Sequence, residues 1–369
     1  MIQKAFGASM SSQLQFPYPE PPVGATRVEV ARGLFWLRVP LPVSLNHINI
    51  YLLEDGDGWV LVDTGMHMPD TIALWEEMIV KCLDGKPIKT VIATHMHPDH
   101  IGMAGWIAER FRAPLWMSQA EYYQARTFSN LPKEIGWTSL QFLRVNGLGD
   151  DYVEHLKQSL PHFNQAVYPM PGAFRRLVDG QTIEIGGDRW RVITCYGHSP
   201  EHVCLYNEER RLLLSGDQVI ARISSNVSVT ASEPEANPLP HWIDALNRMF
   251  QLPADTLVLP SHNLPFIGLH QRSRELVDHH DDHLNALLEA CTEPKTVRDV
   301  LPVLFRRPLD FNQIGMAIGE ALAHLHCLMS RARIERSLGD DGVYRYRTIA
   351  LSWNSARDGW HVDEDPLMV

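Results

Sequence analysis

The sequence predicts an α+β fold in which strands and helices alternate around one or more sheets, with a helical insertion and a small C-terminal winged-helix-like unit. Three observations carry this expectation. Short apolar runs alternate with segments of helical period before residue 119 and again after residue 175. Residues 119–175 break that rhythm with helix formers and aromatics. Beyond about residue 266 helical segments dominate and end in a hairpin signal.

The elements follow in order. Residues 1–25 are largely polar and become Pro-rich at Pro17, Pro19, Pro21 and Pro22, which suits an extended arm across the surface. Leu34–Val39, Ile48–Leu53 and Trp59–Val62 are apolar runs of strand length, and Asp55-Gly56-Asp57-Gly58 between the last two is a hairpin turn. Residues 70–82 have helical periodicity, Thr90–Thr94 is a short buried strand, and Ile101–Phe111 is helical again. Tyr122, Tyr123, Phe128, Trp137, Phe142, Tyr152, Phe163 and Tyr168 mark the insertion. Strands resume at Thr182–Ile185, Trp190–Thr194, Val203–Tyr206 and Arg211–Leu214; a helix over 240–250 and a strand at Thr256–Leu259 lead to Pro260-Ser261-His262. A helix over roughly 267–291, the segment Thr296–Phe305, a break at Pro308, a helix near 312–334 and a turn at Asp340-Asp341-Gly342 before Val343–Ile349 complete a helix, helix, helix, hairpin pattern. The expected organisation is an arm over 1–25, a main domain over 26–270 and a C-terminal unit over 271–369.

Composition narrows the function classes. With 45% hydrophobic and 21% charged residues, the 369-residue chain is of ordinary globular type and can bury a sizeable core. A net charge of -11 repels phosphate backbones at long range, so nucleic-acid binding would need a local basic patch. Cys82, Cys195, Cys204, Cys291 and Cys327 are odd in number and form no C-x-x-C pair, which argues against a disulfide framework. Neither a signal peptide nor a stretch of membrane-spanning length is evident, so the expectation is a cytoplasmic protein without a membrane partner.

The chemistry concentrates in His95-Met96-His97-Pro98-Asp99-His100. Histidine and carboxylate are the ligands a borderline divalent metal prefers, and four of them fall within six residues. Alternate residues of an extended segment point the same way, so His95 and His97 can share one metal. Asp99 and His100, at the turn into the next helix, can reach a second.

Thr94-His95-Met96-His97-Pro98-Asp99-His100-Ile101-Gly102 resembles the signature of the metallo-β-lactamase superfamily. Further motifs resemble that family's others in order: Val62-Asp63-Thr64-Gly65, then Tyr196-Gly197-His198-Ser199-Pro200-Glu201-His202, Leu214-Ser215-Gly216-Asp217 and Pro260-Ser261-His262. The resemblance covers about residues 30–270 and implies a four-layer αββα sandwich. It also implies a ligand set: His95, His97 and His198 for one metal; Asp99, His100 and His262 for the other; Asp217 bridging both. Two close dications need a shared anion to offset their repulsion, and Asp217 with a hydroxide would supply it. The metals would bring the pKa of that water towards about 7, and Asp99 would help to orient it. Asp99 and Asp217 are thus the implied catalytic carboxylates. Zinc suits this set, and iron or manganese is also accommodated.

Other residues are weighed against the same resemblance. Asp217 stands where the best-known lactamases carry Cys, as in the glyoxalase II, lactonase and nuclease branches. Asp63 is expected to hold the ligand loop through hydrogen bonds. Cys195 and Cys204 lie on strands and read as core, and His202 reads as a support for the ligands. Asp278-His279-His280-Asp281-Asp282-His283 reads as a solvated helix face, the alternative being the pocket mouth. His47, near the start of a strand, could approach the site. The insertion either packs as plain helices or caps the site, and a pocket lined by Tyr122, Tyr123 or Phe128 would suit an apolar acyl group.

The favoured expectation is therefore a dinuclear metal-dependent hydrolase acting on an ester, thioester or lactone of a small molecule. The alternatives are a phosphodiesterase or ribonuclease, for which Arg331, Arg333, Arg336, Arg345 and Arg347 give the tail some positive charge diluted by Glu335, Asp340 and Asp341, and a non-enzymatic metal-binding sensor. The tail has a plainer use in packing on the main domain or forming a homodimer.

Overall fold

The computed structural model describes residues 14–43, 45–129 and 135–349. The first apolar runs form an antiparallel meander of β1 (Val28–Ala31), β2 (Leu34–Pro40), β3 (His47–Asp55) and β4 (Gly58–Val62). Helix α1 (Pro69–Cys82) follows, with Pro at its start and Asp70 in its first turn, both favourable there. Thr71, Trp75, Met78 and Cys82 form its buried stripe at helical spacing.

Three parallel pairings extend this sheet to β5 (Ile88–Ile92), β6 (Leu115–Met117) and, after the insertion, β7 (Arg175–Arg176). Between them lie α2 (Pro98–Ile101), α3 (Ala104–Phe111), α4 (Gln119–Phe128), α5 (Trp137–Val145) and α6 (Asp150–Gln165). A second sheet has the order β13-β12-β11-β10-β9-β8. Its strands are β8 (Thr182–Ile185), β9 (Asp188–Cys195), β10 (His202–Asn207), β11 (Leu212–Gly216), β12 (Leu257–Pro260) and β13 (Phe266–Ile267), with α7 (Pro238–Met249) before β12. Helices α8 (Leu269–Ala290), α9 (Val297–Leu304) and α10 (Phe311–Ser330) and the hairpin β14 (Ile334–Leu338) to β15 (Tyr344–Thr348) end the described chain.

Strand alternation sorts the side chains into three cores. On β3, Ile48, Ile50 and Leu52 face Trp75 and Met78 of α1 and Ile107 of α3. Tyr51 and Leu53 point the other way, against Trp190, Val192, Leu205, Leu214 and Leu259 of the second sheet. The far face of that sheet, including Ile193, Cys204, Leu213 and Val258, lies under Trp242 and Leu246 of α7 and Leu284 and Leu287 of α8. The layers are therefore helices, sheet, sheet, helices. Strands buried on both faces explain why β4 and β11 read as unbroken apolar runs rather than alternating ones. Trp36, Trp59, Trp75, Trp190 and Trp242 are all fully buried, and each such ring contributes roughly 4–6 kcal/mol of hydrophobic stabilisation.

Several details depart from the sequence expectation. The buried strand expected to reach Thr94 ends at Ile92, leaving Thr94 in the loop that follows. The helix expected over 101–111 is two helices. They meet at Gly102, where a Cβ would lie 2.4 Å from Pro98 O and 2.6 Å from both Ala166 O and Gly65 O. The short strands β1, β6, β7 and β13 carry no sequence signal of their own and exist by pairing with longer neighbours. The insertion is helical. Tyr122 and Ala125 of α4 join the first helical layer, whereas Leu143, Leu148, Tyr152 and Val153 share a core with α9 and α10.

At the N-terminus, Gln15 exchanges backbone hydrogen bonds of 3.0 and 2.9 Å with Ile267 on the edge strand β13. At the other end, Arg336 pairs with Glu235 (2.9 Å), Arg345 with Asp341 (2.7 Å) and Arg347 with Glu335 (2.6 Å). No helix among the described residues is long and apolar enough to cross a membrane.

Candidate metal centre

Strands β9, β11 and β12 run in one direction, and the loops at their C-terminal ends carry His198, Asp217 and His262 respectively. The loop after β5 in the facing sheet carries His95 and His97, and the short helix α2 that follows it carries Asp99 and His100. Both sheets thus deliver ligating side chains to one edge of the sandwich, on loops whose roots are rigid strands.

All seven sequence-nominated side chains meet there. His95 Nε2 lies 2.8 Å from His97 Nδ1 and 3.2 Å from His198 Nε2. His262 Nε2 lies 3.4 Å from Asp99 Oδ2, and His100 Nε2 lies 3.5 Å from the same atom. Asp217 stands between the two groups. Its Oδ1 is 3.6 Å from His100 Nε2 and 3.3 Å from His262 Nε2, while its Oδ2 is 3.5 Å from His198 Nε2. Among the described residues, three groupings of His and Asp have ligand atoms all within 4.8 Å of one another: His95/His97/His198, His95/His100/Asp217 and Asp99/His100/His262.

The outward-facing ring nitrogens fix the tautomers. His198 Nδ1 donates to Asn226 O (2.7 Å), His262 Nδ1 to His47 O (2.8 Å) and His100 Nδ1 to Asp63 Oδ2 (2.7 Å). Each ring therefore presents its Nε2 inward. His100 Nε2, His262 Nε2 and Asp217 Oδ1 are buried without a hydrogen-bond partner. Buried polar atoms left unpaired cost about 1–3 kcal/mol each, and three that converge on common points fit divalent cations.

The charges agree with this. Burial, reinforced by the neighbouring imidazoles, lowers His95 well below the usual range and His97 to about 3. The His95 and His97 lone pairs are thereby kept free, as ligation requires. In the other group burial opposes ionisation, but the carboxylates and imidazoles overcome it. His262 rises to about 10 through Asp217 and Asp99, and Asp99 falls to about 2 through His100 and His262.

Further residues hold these side chains in place. Asp63, in the left-handed region at φ 60°, accepts from Thr94 N (2.8 Å) and Ser261 Oγ (3.2 Å) besides His100. His202 is buried, and its Nε2 accepts the Asp217 N–H at 3.1 Å. This packing requires glycine before Asp217, because a Cβ on Gly216 would lie 2.4 Å from His202 Nε2. His47 does approach the site, through its carbonyl on His262 and through Nε2, which accepts from Asn263 N at 3.0 Å.

Two expectations are corrected. Tyr122 does not line a pocket: it is 2% exposed, stacked 3.9 Å from Phe174, and its hydroxyl donates to Pro171 O. Tyr123 is exposed, and the Phe128 side chain lies outside the described residues. The Asp278–His283 run is not simply a solvated face, because His280 is fully buried and donates through Nδ1 to His324 Nε2 (3.0 Å) across the α8–α10 interface. Cys195 and Cys204 are buried strand residues with sulfurs 3.9 Å apart.

Sequence reasoning did not find Glu121. This fully buried carboxylate on α4 accepts from Met96 N (2.8 Å), Ser199 Oγ (2.6 Å) and Glu201 N (2.7 Å). An isolated Glu inside a helical pattern carries no signal that would single it out.

Comparison with known proteins agrees with the geometry. The family described as "Metallo-beta-lactamase superfamily" matches residues 43–262, more than half of the chain. The chain belongs to the metallo-beta-lactamase superfamily. Residues 284–349 match the "Metallo-beta-lactamase-like, C-terminal domain". A β-lactamase domain protein from Burkholderia ambifaria has the same fold at a TM-score of 0.85 and 40% identity, covering 91% of this chain and 98% of its own. The probable metallo-hydrolase YqjP of Bacillus subtilis is 24% identical over 84% of this chain and 96% of its own length. The human acyl-coenzyme A thioesterase MBLAC2 is 28% identical over 51% of this chain and 63% of its own length. The chain is a hydrolase of this superfamily.

Proposed function

We propose that the protein is a dinuclear metal-dependent hydrolase that cleaves an ester, thioester or lactone of a small molecule. The observation that carries this is Asp217, whose two oxygens face different ligand groups, His100 with His262 and His198. When bound, two divalent cations, with zinc the best match to this donor set, would supply a Lewis acid and an acidified water as nucleophile.

The chain's own residues prepare the rest. His95 and His97, with their lone pairs free, and His198 would face one cation, while Asp99, His100 and His262 would face the other. Asp99 is the more open of the two carboxylates, its side chain 19% exposed against 9% for Asp217, and as an ionised acceptor it can orient that water at the substrate side. Asp217, buried and held by His202, keeps the two ligand groups in register.

The acyl-coenzyme A thioesterase relative supports a thioester within this substrate class. The phosphodiesterase alternative is weakened because Arg336, Arg345 and Arg347 of the tail are held in ion pairs. We read the three helices and hairpin of residues 269–348, whose order is similar to that of a winged helix, as a packing element of the hydrolase. Metal-loaded enzyme should turn over acyl thioester or lactone substrates. Turnover of bis(p-nitrophenyl) phosphate alone would refute the assignment.

A further inference from the structure

The two ligand groups are braced by different carboxylates. Asp63 grips His100 directly and reaches Ser261, the neighbour of His262. Asp63 reaches the group of His95, His97 and His198 only at one remove, through Thr94, whose Oγ1 lies 2.9 Å from Asp63 Oδ2 and 3.1 Å from His95 Nδ1. The loops of these three histidines are joined instead by Glu121, which arrives from the insertion helix α4.

The geometry is specific. Glu121 Oε2 accepts the N–H of Met96, the residue between His95 and His97. Its Oε1 accepts both Ser199 Oγ and the N–H of Glu201, immediately beyond His198. One side chain therefore ties together two loops about a hundred residues apart in sequence, with His95 and His198 separated by 103 positions. Both oxygens face donors only, so a carboxylate satisfies the site fully. An amide of the same shape would have to turn its NH2 towards a donor. The insertion thus contributes to the metal centre through a fixed internal strut, in addition to any part it has in covering the site.

We propose that Glu121 is the positioning residue of the three-histidine half of the centre and acts on that half selectively, whereas Asp63 grips His100 of the other half directly. This rests on the two-cation reading above. Groups that orient ligands typically change metal affinity by about 10–100-fold when removed.

The test is titration of metal-free wild-type, Glu121→Gln and Asp63→Asn proteins with Co(II). Bound ions are counted by equilibrium dialysis and coordination is followed by the visible d–d bands, with the fold of each metal-free protein checked by thermal unfolding. Wild type should bind two ions. Glu121→Gln should weaken one by about 10–100-fold and alter its bands while the other is retained, and Asp63→Asn should weaken the complementary ion. Ser199→Ala, which removes one of the three hydrogen bonds, should give a smaller shift in the same direction as Glu121→Gln. It decides the matter if Glu121→Gln does not fold. Two ions in wild type with unchanged or equally weakened binding in the Glu121 variant would overturn the selective role alone; for Ser199→Ala the corresponding result is unchanged binding at the three-histidine half. A single ion in wild type would overturn the two-cation reading and the selective role with it.

Discussion

At the scale of single residues, the centre depends on atoms that have no partner within the protein. Asp217 Oδ1 and the Nε2 atoms of His100 and His262 are buried and unpaired, so the residue that touches both ligand groups should be the least replaceable. Asp217→Ala is expected to lose at least one bound ion per chain by elemental analysis and most hydrolytic activity. Full activity with two ions retained would refute its bridging position. Gly216 allows a second prediction. Its φ is 52°, and an added Cβ would meet the His202 ring, so Gly216→Ala should destabilise the protein by about 1–3 kcal/mol in denaturant unfolding.

Legibility also divides at this scale. The ligand loop was readable because its chemistry is packed into six consecutive residues. Glu121 was unreadable because its meaning lies in contacts with partners 25 to 80 positions away. His280 misled for a related reason. Its helix pattern is polar overall, and only the docking of α10 buries one member of the run.

At the scale of elements, the core strands and long helices followed from period and length, whereas the two- and three-residue strands did not. Helix α10 carries an instructive group. Glu320 accepts from Asn226 Nδ2 at 3.0 Å, and burial pushes its carboxyl up to about 7 despite that bond. A carboxyl raised on folding binds a proton more readily in the native state than in the unfolded chain. Its contribution therefore falls as pH rises from about 4.5 to about 7, and the charged form costs up to roughly 3 kcal/mol above that window. Glu320→Gln should raise stability at pH 8 and flatten this segment of the stability–pH curve. No change in the curve on substitution would show that the group is not perturbed.

At the scale of the whole molecule, the C-terminal helices are part of the main body rather than an appendage. Ala317, Ile318, Ala321 and Leu322 of α10 and Val300 of α9 lie in the same core as Trp242, Leu246, Ile193 and Tyr206. Truncation after residue 283 should leave that surface bare and give aggregated protein by size-exclusion chromatography. A monodisperse, metal-binding fragment would contradict this. Chelation should also lower the unfolding temperature, since ligands that bind only the native state stabilise it by mass action. This αββα plan was legible early because apolar runs alternate with segments of helical period and the motif order resembles that of the metallo-β-lactamase superfamily. The insertion's attachment to the far end of the chain was not, because no local pattern encodes it.

That attachment bears on synthesis. Leu143, Leu148 and Tyr152 share their core with Val300, Leu301, Ala317 and Ile318, and Arg298 donates to Gly147 O across 151 positions. At about 5–20 residues per second, a ribosome needs roughly 8–30 s to supply the missing half. Throughout that interval the nascent insertion exposes apolar side chains beside a first sheet that has already emerged. The stretch around 143–153 is where a chaperone would be expected to bind first, and where slowed elongation would do most harm.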